Sequence, residues 1–145
     1  MNIIETVREI LQSFPRISEV CNEIHIDFAS DEPTSYGLSS VGDSLLKEDI
    51  LGNQRRQHTF MLYSTFSAVN DFERLQNSSA LLELGLWLEK QVGAEIETLI
   101  GGETHTGTLE GIAAQNGMLY AVPQENTHDG VQYQLQIVAE YTVEN

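Results

Sequence analysis

The sequence predicts a single α+β domain, made of a mainly antiparallel sheet with two helices packed on one of its faces. Two stretches repeat apolar residues at the spacing of a helix, and the C-terminal third alternates apolar and polar residues as strands do. The chain has 145 residues, which is enough for one domain with its own core and too few for two comfortable ones.

The first helix is predicted from a stripe of apolar residues that ends at Pro15. The stripe consists of Ile3, Ile4, Val7, Ile10, Leu11 and Phe14. A second helix is predicted after Asn70 or Asp71, either of which can cap it, and it ends near Gly93. Its apolar face is broad enough for burial against a sheet, and comprises Phe72, Leu75, Leu81, Leu82, Leu84, Leu86, Trp87 and Leu88.

Strands are predicted where apolar residues alternate or where aromatic and β-branched residues are dense. EIHIDFA (23–29) and HTFMLYSTFSA (58–68) are predicted strands, the latter central. Asn116-Gly117 predicts a two-residue hairpin turn, because both residues tolerate positive φ. In the final strand, VQYQLQIVAEYTV, one face is apolar and the other polar except for Val138.

Residues 30–56 are predicted to form an irregular loop, since they are rich in Ser, Asp, Gly and Pro without a sustained period. Such a length is unusual inside a compact domain and is typical of assembly arms and binding loops. A short helix or strand within the segment is the alternative.

The charge of the chain excludes several classes of function. With 7 basic and 22 acidic residues, the formal net charge is -15, which argues against binding nucleic acid by phosphate neutralisation or docking on an anionic membrane. The single cysteine, Cys21, leaves no internal disulfide and no multi-cysteine zinc site. No apolar run approaches the ~20 residues of a membrane span, so we expect a soluble, intracellularly made protein.

No catalytic, cofactor or metal site is predicted. GGETHTGT (101–108) has glycines spaced like a phosphate loop but lacks the lysine, and a flexible turn is the better interpretation. His25 and His58 could meet on adjacent strands and hold a metal, yet such polar neighbours are commonplace. No serine motif and no cysteine–histidine pair is evident, and we expect a protein that is not an enzyme.

Two polar features indicate subunit contacts. Arg55 and Arg56 are adjacent in a chain with few basic residues, so they would be drawn to acidic surface on another copy. A solvated turn explains the pair equally well. Gln132, Gln134 and Gln136 form an uncharged row that can bind a partner surface without desolvating charge. An ordinary exposed strand face is the alternative for these glutamines.

Three segments together resemble a known family. GNQRRQHTFMLYS resembles a strand entry of the form Gly-x-x-x-x-Gln-x-x-Phe-x-Leu. LQNSSALLELGLWLEKQ resembles a helix with an Asn-Ser pair before a Trp-Leu-Glu ending, and YQLQIVAEYTVEN resembles a closing strand with a Tyr-Gln-x-Gln start. Over roughly residues 50–143 the chain is similar to bacteriophage and prophage tail-assembly proteins of the tail terminator or tail-completion (minor capsid-like) family.

The resemblance implies a subunit of a homo-oligomeric ring, expected to be a hexamer, at the head-proximal end of a phage tail. The ring would cap the tail tube or join it to the head connector, and both would be its partners. The family has no catalytic residues and no cofactor, and an acidic lumen would repel passing DNA. The alternative from a different class is an acidic DNA mimic that inhibits a nucleic-acid-binding enzyme. A third possibility, a nucleotide-using enzyme, rests on the GGETHTGT loop.

Overall fold

The architecture is an α+β domain in which helices and strands share one hydrophobic core. A computed structural model describes residues 1–14, 25–26, 35–66, 80–121 and 131–145. Over these ranges the helices are α1 (Ile3–Gln12) and α2 (Ala80–Leu88). The strands are β1 (His25–Ile26), β2 (Ser35–Glu48), β3 (Gln54–Phe66), β4 (Glu95–Ile100), β5 (Glu103–Ala121) and β6 (Val131–Val143).

The described strands form one sheet in the order β1-β2-β3-β6-β5-β4. All neighbouring pairs are antiparallel except β1 and β2, which are parallel. The long central strands β3 and β6 pair over their whole lengths, from Gln54 opposite Val143 to Phe66 opposite Val131. The predicted fold class, a mainly antiparallel sheet with helices on one face, is therefore confirmed.

The core lies between one face of this sheet and the two described helices. Cross-strand partners share a face, and the pairs Phe60–Ile137 and Leu62–Leu135 are buried. The predicted alternation in β6 is confirmed, because Leu135, Ile137, Ala139, Tyr141 and Val143 are all buried. The helices add Ile3, Val7, Leu11, Leu84 and Leu88 to the same cluster, and Phe14, which follows α1, joins them.

Helix α1 follows the prediction closely. Asn2 caps it, since its Oδ1 accepts a hydrogen bond from the Glu5 N–H at 2.9 Å and its carbonyl accepts one from the Thr6 hydroxyl at 2.8 Å. The last turn of α2 packs near this helix, with the Phe14 and Trp87 rings 5.1 Å apart. The predicted start of the second helix lies outside the described residues, as does most of the predicted 23–29 strand.

Two predictions about connections are wrong. Most of the irregular loop at 30–56 is strand β2, which pairs with β3 from Ser35–Thr65 to Glu48–Gln54. The Asn116-Gly117 hairpin turn is absent from the described β5, which continues through these residues with a register shift between Gln115 and Met118. The two-residue turn falls instead at Gly101-Gly102, between β4 and β5, where φ is 57° and 86°.

Candidate functional site

The β2–β3 hairpin ends in a turn that is fixed by many hydrogen bonds. Asp49 Oδ1 accepts from the N–H groups of Leu51 and Asn53, both at 2.9 Å, and Gly52 N–H donates to the Asp49 carbonyl at 3.1 Å. Asn145 fastens the turn to the C-terminus, because its side-chain amide donates to the Leu51 carbonyl at 2.7 Å. Gly52 has a φ of 88°, a conformation that favours glycine. The turn is therefore pre-organised.

This rigid turn carries exposed apolar side chains. We call residues 41–53 the hairpin end. Every residue from 41 to 50 is exposed, and Ile50 is as open as in an extended chain, at 102% relative exposure. Four more large apolar residues are exposed here: Val41, Leu45, Leu46 and Leu51. Single exposed apolar residues are ordinary, but five large ones within one hairpin are unusual and make this segment a candidate interaction site.

A cluster of polar side chains that includes Asp43 of the hairpin end joins β2, β3 and β6. Asp43 is its centre, with Oδ1 accepting from Arg56 Nε at 2.6 Å and Oδ2 accepting from the Tyr141 hydroxyl at 2.6 Å. The same Oδ2 lies 2.8 Å from His58 Nδ1, and His58 Nε2 lies 2.6 Å from Ser40 Oγ. Ser40, Asp43, Arg56, His58 and Tyr141 are called the Asp43 cluster.

The charges in this cluster are mutually stabilised. Partial burial raises the pKa of the Asp43 carboxyl, but hydrogen bonds from Tyr141, Arg56 and His58 outweigh it and hold that pKa below its usual value. The hydrogen bond to Asp43 raises the pKa of the Arg56 guanidinium. Burial, together with the bond to Asp43, raises the pKa of Tyr141 well above its ordinary value. At neutral pH the cluster holds a carboxylate, a guanidinium and a neutral phenol.

The ionised carboxylate decides the tautomer of His58. A carboxylate has no proton to donate, so the contact with Asp43 Oδ2 requires His58 Nδ1 to carry hydrogen. In the neutral ring Nε2 is then an acceptor, and the Ser40 hydroxyl donates to it. The imidazole is largely enclosed, with 9% of its side-chain surface exposed and the Phe60 ring centroid 4.5 Å away.

The predicted arginine pair is divided between the two faces of the sheet. Arg56 lies on the core face, inside the Asp43 cluster, and its Nη1 also donates to Gln54 Oε1 at 2.9 Å. Arg55 lies on the opposite face and forms an exposed ion pair with Glu140 at 3.2 Å. Because Arg56 already has internal partners, Arg55 is the member of the pair better placed to meet another molecule.

The predicted glutamine row lies on the face of the sheet opposite the core. Gln134 pairs with Tyr63 and Gln136 with Met61, and both side chains are half-buried. Gln132 holds a β6 position opposite Thr65, and its side chain lies outside the described residues. A depression of about 320 Å³ on this face is lined by Gln57, Gln115, Gln136, Val138 and Glu140.

Sequence reasoning missed Ser40, Asp43 and Tyr141. Ser40 and Asp43 come from β2 and Tyr141 comes from β6, and no known sequence motif connects them. The register could have revealed part of the cluster, since between the two register shifts of the hairpin residues equally distant from Ile50-Leu51 face each other, as Asp43 and His58 do. That signal is readable only once residues 35–48 are recognised as a strand.

The other sequence features have structural places. His25 pairs with Gly37 on β1 and β2, whereas His58 lies on β3, so these two histidines are not on adjacent strands. GGETHTGT forms the β4–β5 turn and the start of β5. The described residues contain no group of three or more His, Cys, Asp or Glu side chains that could hold a metal ion. None of the described helices is long and apolar enough to cross a membrane.

Comparison with known proteins adds no relative: neither the models of protein families nor the curated proteins match this chain.

Proposed function

We propose that this chain is a bacteriophage assembly protein that forms a ring, expected to be a hexamer, at the head-proximal end of the tail. The ring caps the tail tube or joins it to the head connector, and it acts in the assembled virion tail. This role requires binding surfaces and no chemical reaction. The resemblance of residues 50–143 to tail terminator and tail-completion proteins motivates the proposal.

The observation that carries the proposal is the pre-organised apolar hairpin end. Ile50 and Leu51 are exposed to solvent on a turn that is ordered by hydrogen bonds to the side chains of Asp49 and Asn145. Large apolar side chains that stay exposed to solvent lower the solubility of a protein. A turn that is already ordered loses less conformational entropy when it binds a partner. Both features are expected of a segment that is buried in an assembly.

The sheet also suits contacts between unlike surfaces. The hairpin end lies toward the β2 side of the sheet, while β4, at the opposite edge, carries Leu99 and Ile100 at 72% and 45% exposure. When one side of a subunit meets a different side of its neighbour, the contact is heterologous, and repetition closes a ring if the rotation allows. Arg55 and the glutamine face would extend such a contact.

The test is the mass of the chain in solution, measured by light scattering behind a sizing column over a range of concentrations. Wild-type protein should form rings of about six times the 16.2 kDa chain mass as concentration rises. The double variant Ile50→Ser, Leu51→Ser should remain monomeric because it loses the apolar contact. Leu86→Ser is the matched control, since it removes one exposed apolar side chain on α2, outside both proposed surfaces.

The result separates this proposal from its rival. A wild-type chain that stays monomeric at every concentration and salt level would contradict self-assembly. A pull-down that then recovers a DNA-binding enzyme would favour the DNA-mimic alternative. If the double variant assembles as well as the wild type, the hairpin end is not the contact.

A further inference from the structure

Three members of the Asp43 cluster have the arrangement of a nucleophilic triad. Ser40 Oγ lies 2.6 Å from His58 Nε2, and His58 Nδ1 lies 2.8 Å from Asp43 Oδ2. A nucleophile within hydrogen-bond reach of a base, with the base oriented by a third group, is the structural signature of an activated serine. Such triads are recognised by geometry and by roles, whatever their order in the chain.

The hydrogen-bond directions are those that activation requires. Asp43 is ionised and accepts from His58 Nδ1–H, so in its neutral form the ring presents the Nε2 lone pair to the Ser40 hydroxyl. Arg56 and Tyr141 hold the carboxylate from its other sides, which fixes its position relative to the ring. A base oriented in this way loses little freedom when it takes up the serine proton.

We propose that Ser40 is a reactive nucleophile that accepts the acyl group of small carboxylic esters, with His58 as general base and Asp43 as a positioning residue. This activity goes beyond the proposed role in tail assembly and does not depend on it. Small esters are the expected class because Ser40 is itself exposed, so a small carbonyl compound can approach it.

Access and charge stabilisation come from the local backbone. Ser40 is exposed while His58 is enclosed, so a reagent reaches the hydroxyl and the base is shielded from water. Next to Ser40 the β2–β3 register shifts, and Val41 has no partner residue in β3. A bulge leaves the extra residue out of the ladder. The Val41 N–H follows the nucleophile, which is the position that donates to the oxyanion in other serine nucleophiles, and the proposal gives it that role.

The reaction proceeds by two acyl transfers, first from the ester to Ser40 and then from Ser40 to water. Ser40 Oγ attacks the ester carbonyl carbon as its proton passes to His58 Nε2, and a tetrahedral oxyanion forms. The bond from that carbon to the alcohol oxygen then breaks, and the leaving alcohol takes the proton from Nε2, which leaves an acyl-serine. Water attacks the acyl-serine by the same path, releases the carboxylic acid and returns the proton to Ser40 Oγ.

The first experiment uses a fluorophosphonate probe, which labels activated serines, followed by mapping of the labelled peptide by mass spectrometry. Wild-type protein should be labelled at Ser40, and Ser40→Ala should lose this label. Ser44→Ala is the matched control, since Ser44 is an exposed serine on the same strand but on the opposite face, paired with Gln57. The Ser44→Ala variant should be labelled at Ser40 to the same extent as the wild type. Absence of label at Ser40, or equal labelling of Ser44, would overturn the proposal.

A second experiment tests the roles of the base and the carboxylate. His58→Gln should slow labelling by about 100-fold or more. Asp43→Asn should slow it and Asp43→Glu should restore part of the rate, a rescue that a merely structural carboxylate would not produce. If a variant does not fold, Ser40→Cys and Ser44→Cys in a Cys21→Ser background give an independent measurement. Iodoacetamide should alkylate the thiol at position 40 faster than the thiol at 44; equal rates would contradict activation by His58.

Discussion

At the scale of single residues, Asp43 organises the polar chemistry of the molecule. Its two carboxylate oxygens accept three hydrogen bonds, from Arg56, His58 and Tyr141, which belong to two other strands. A carboxylate with several donors is stabilised in its charged form. A partly buried ion of this kind contributes to stability only while its partners are present, because removing one of them leaves the others unsatisfied.

The lowered pKa of Asp43 predicts how stability depends on pH. A carboxyl with a depressed folded pKa stabilises the fold at pH values above its unfolded pKa, about 3.9, and this contribution is lost as pH falls through the folded pKa. Asp43→Asn should therefore lower the free energy of unfolding at neutral pH by roughly 1–3 kcal/mol. It should also reduce the loss of stability on acidification below about pH 4.

Urea unfolding at a series of pH values measures both effects. Glu103→Gln is the control, since it removes the same formal charge from an exposed position at the start of β5. If the free energy of unfolding falls equally for the two variants as pH is lowered below about 4, the partners of Asp43 do not stabilise its charged form.

At the scale of elements, the predictable parts are those whose pattern shows burial directly. Strand β6 was predictable because its inward residues, from Leu135 to Val143, are buried and alternate with residues that are polar except for Val138. Strand β2 was not, because residues 41–50 are all exposed and so have no apolar alternation to detect. The hairpin turn predicted at Asn116-Gly117 was wrong for another reason. Strand β5 pairs with β6 on both sides of these residues, at Gln115 and at Met118, and this pairing overrides their local preference for a turn.

The candidate site was less predictable than the fold for the same reason. Ser40 and Asp43 face His58 only because the Asp49–Asn53 turn sets the hairpin register, and a register change of one residue would put them on the other face. Arg56 was noticed for its charge, but its internal partner Asp43 could not be identified without that register. Contacts between strands are decided by pairing, which a single sequence shows only indirectly.

Strands β5 and β6 approach closely at Gly107, and this predicts a sensitive position. A Cβ at Gly107 would overlap the backbone carbonyl of Thr142, whereas a Cβ at Gly111 on the same strand would meet nothing within 4 Å. Backbone atoms cannot move aside as a flexible side chain can. Gly107→Ala should therefore lower the free energy of unfolding by at least about 1–3 kcal/mol.

The comparison with Gly111→Ala isolates the steric cause. That variant should be neutral or slightly stabilising, since alanine restricts the unfolded chain more than glycine does. Urea denaturation midpoints measure both changes. Equal midpoints for the two variants would mean that β5 and β6 separate readily at this point.

At the scale of the whole molecule, the net charge of -15 opposes the self-association that we propose. Two copies of the chain repel each other through their net negative charge, whereas burial of the exposed apolar hairpin end favours association. These two effects respond differently to salt. Raising ionic strength shortens the screening length, which is about 10 Å at 0.1 M, and weakens repulsion between exposed charges. Apolar attraction is not weakened in this way. Ring formation should therefore occur at lower protein concentration as salt increases.

The salt series also tests which contacts dominate the interface. If Arg55 bound acidic residues of a neighbour as the main attraction, screening would weaken association and the ring would dissociate at high salt. Sedimentation velocity with the wild type and with Arg55→Glu separates the cases. Arg55 is exposed and paired only with Glu140 among the ion pairs described here, so its reversal should shift the association midpoint modestly and leave the sign of the salt dependence unchanged. The opposite result would be wild-type association that weakens as salt increases, together with Arg55→Glu association that does not depend on salt. That result would mean that charge pairing, and not the hairpin end, dominates the interface.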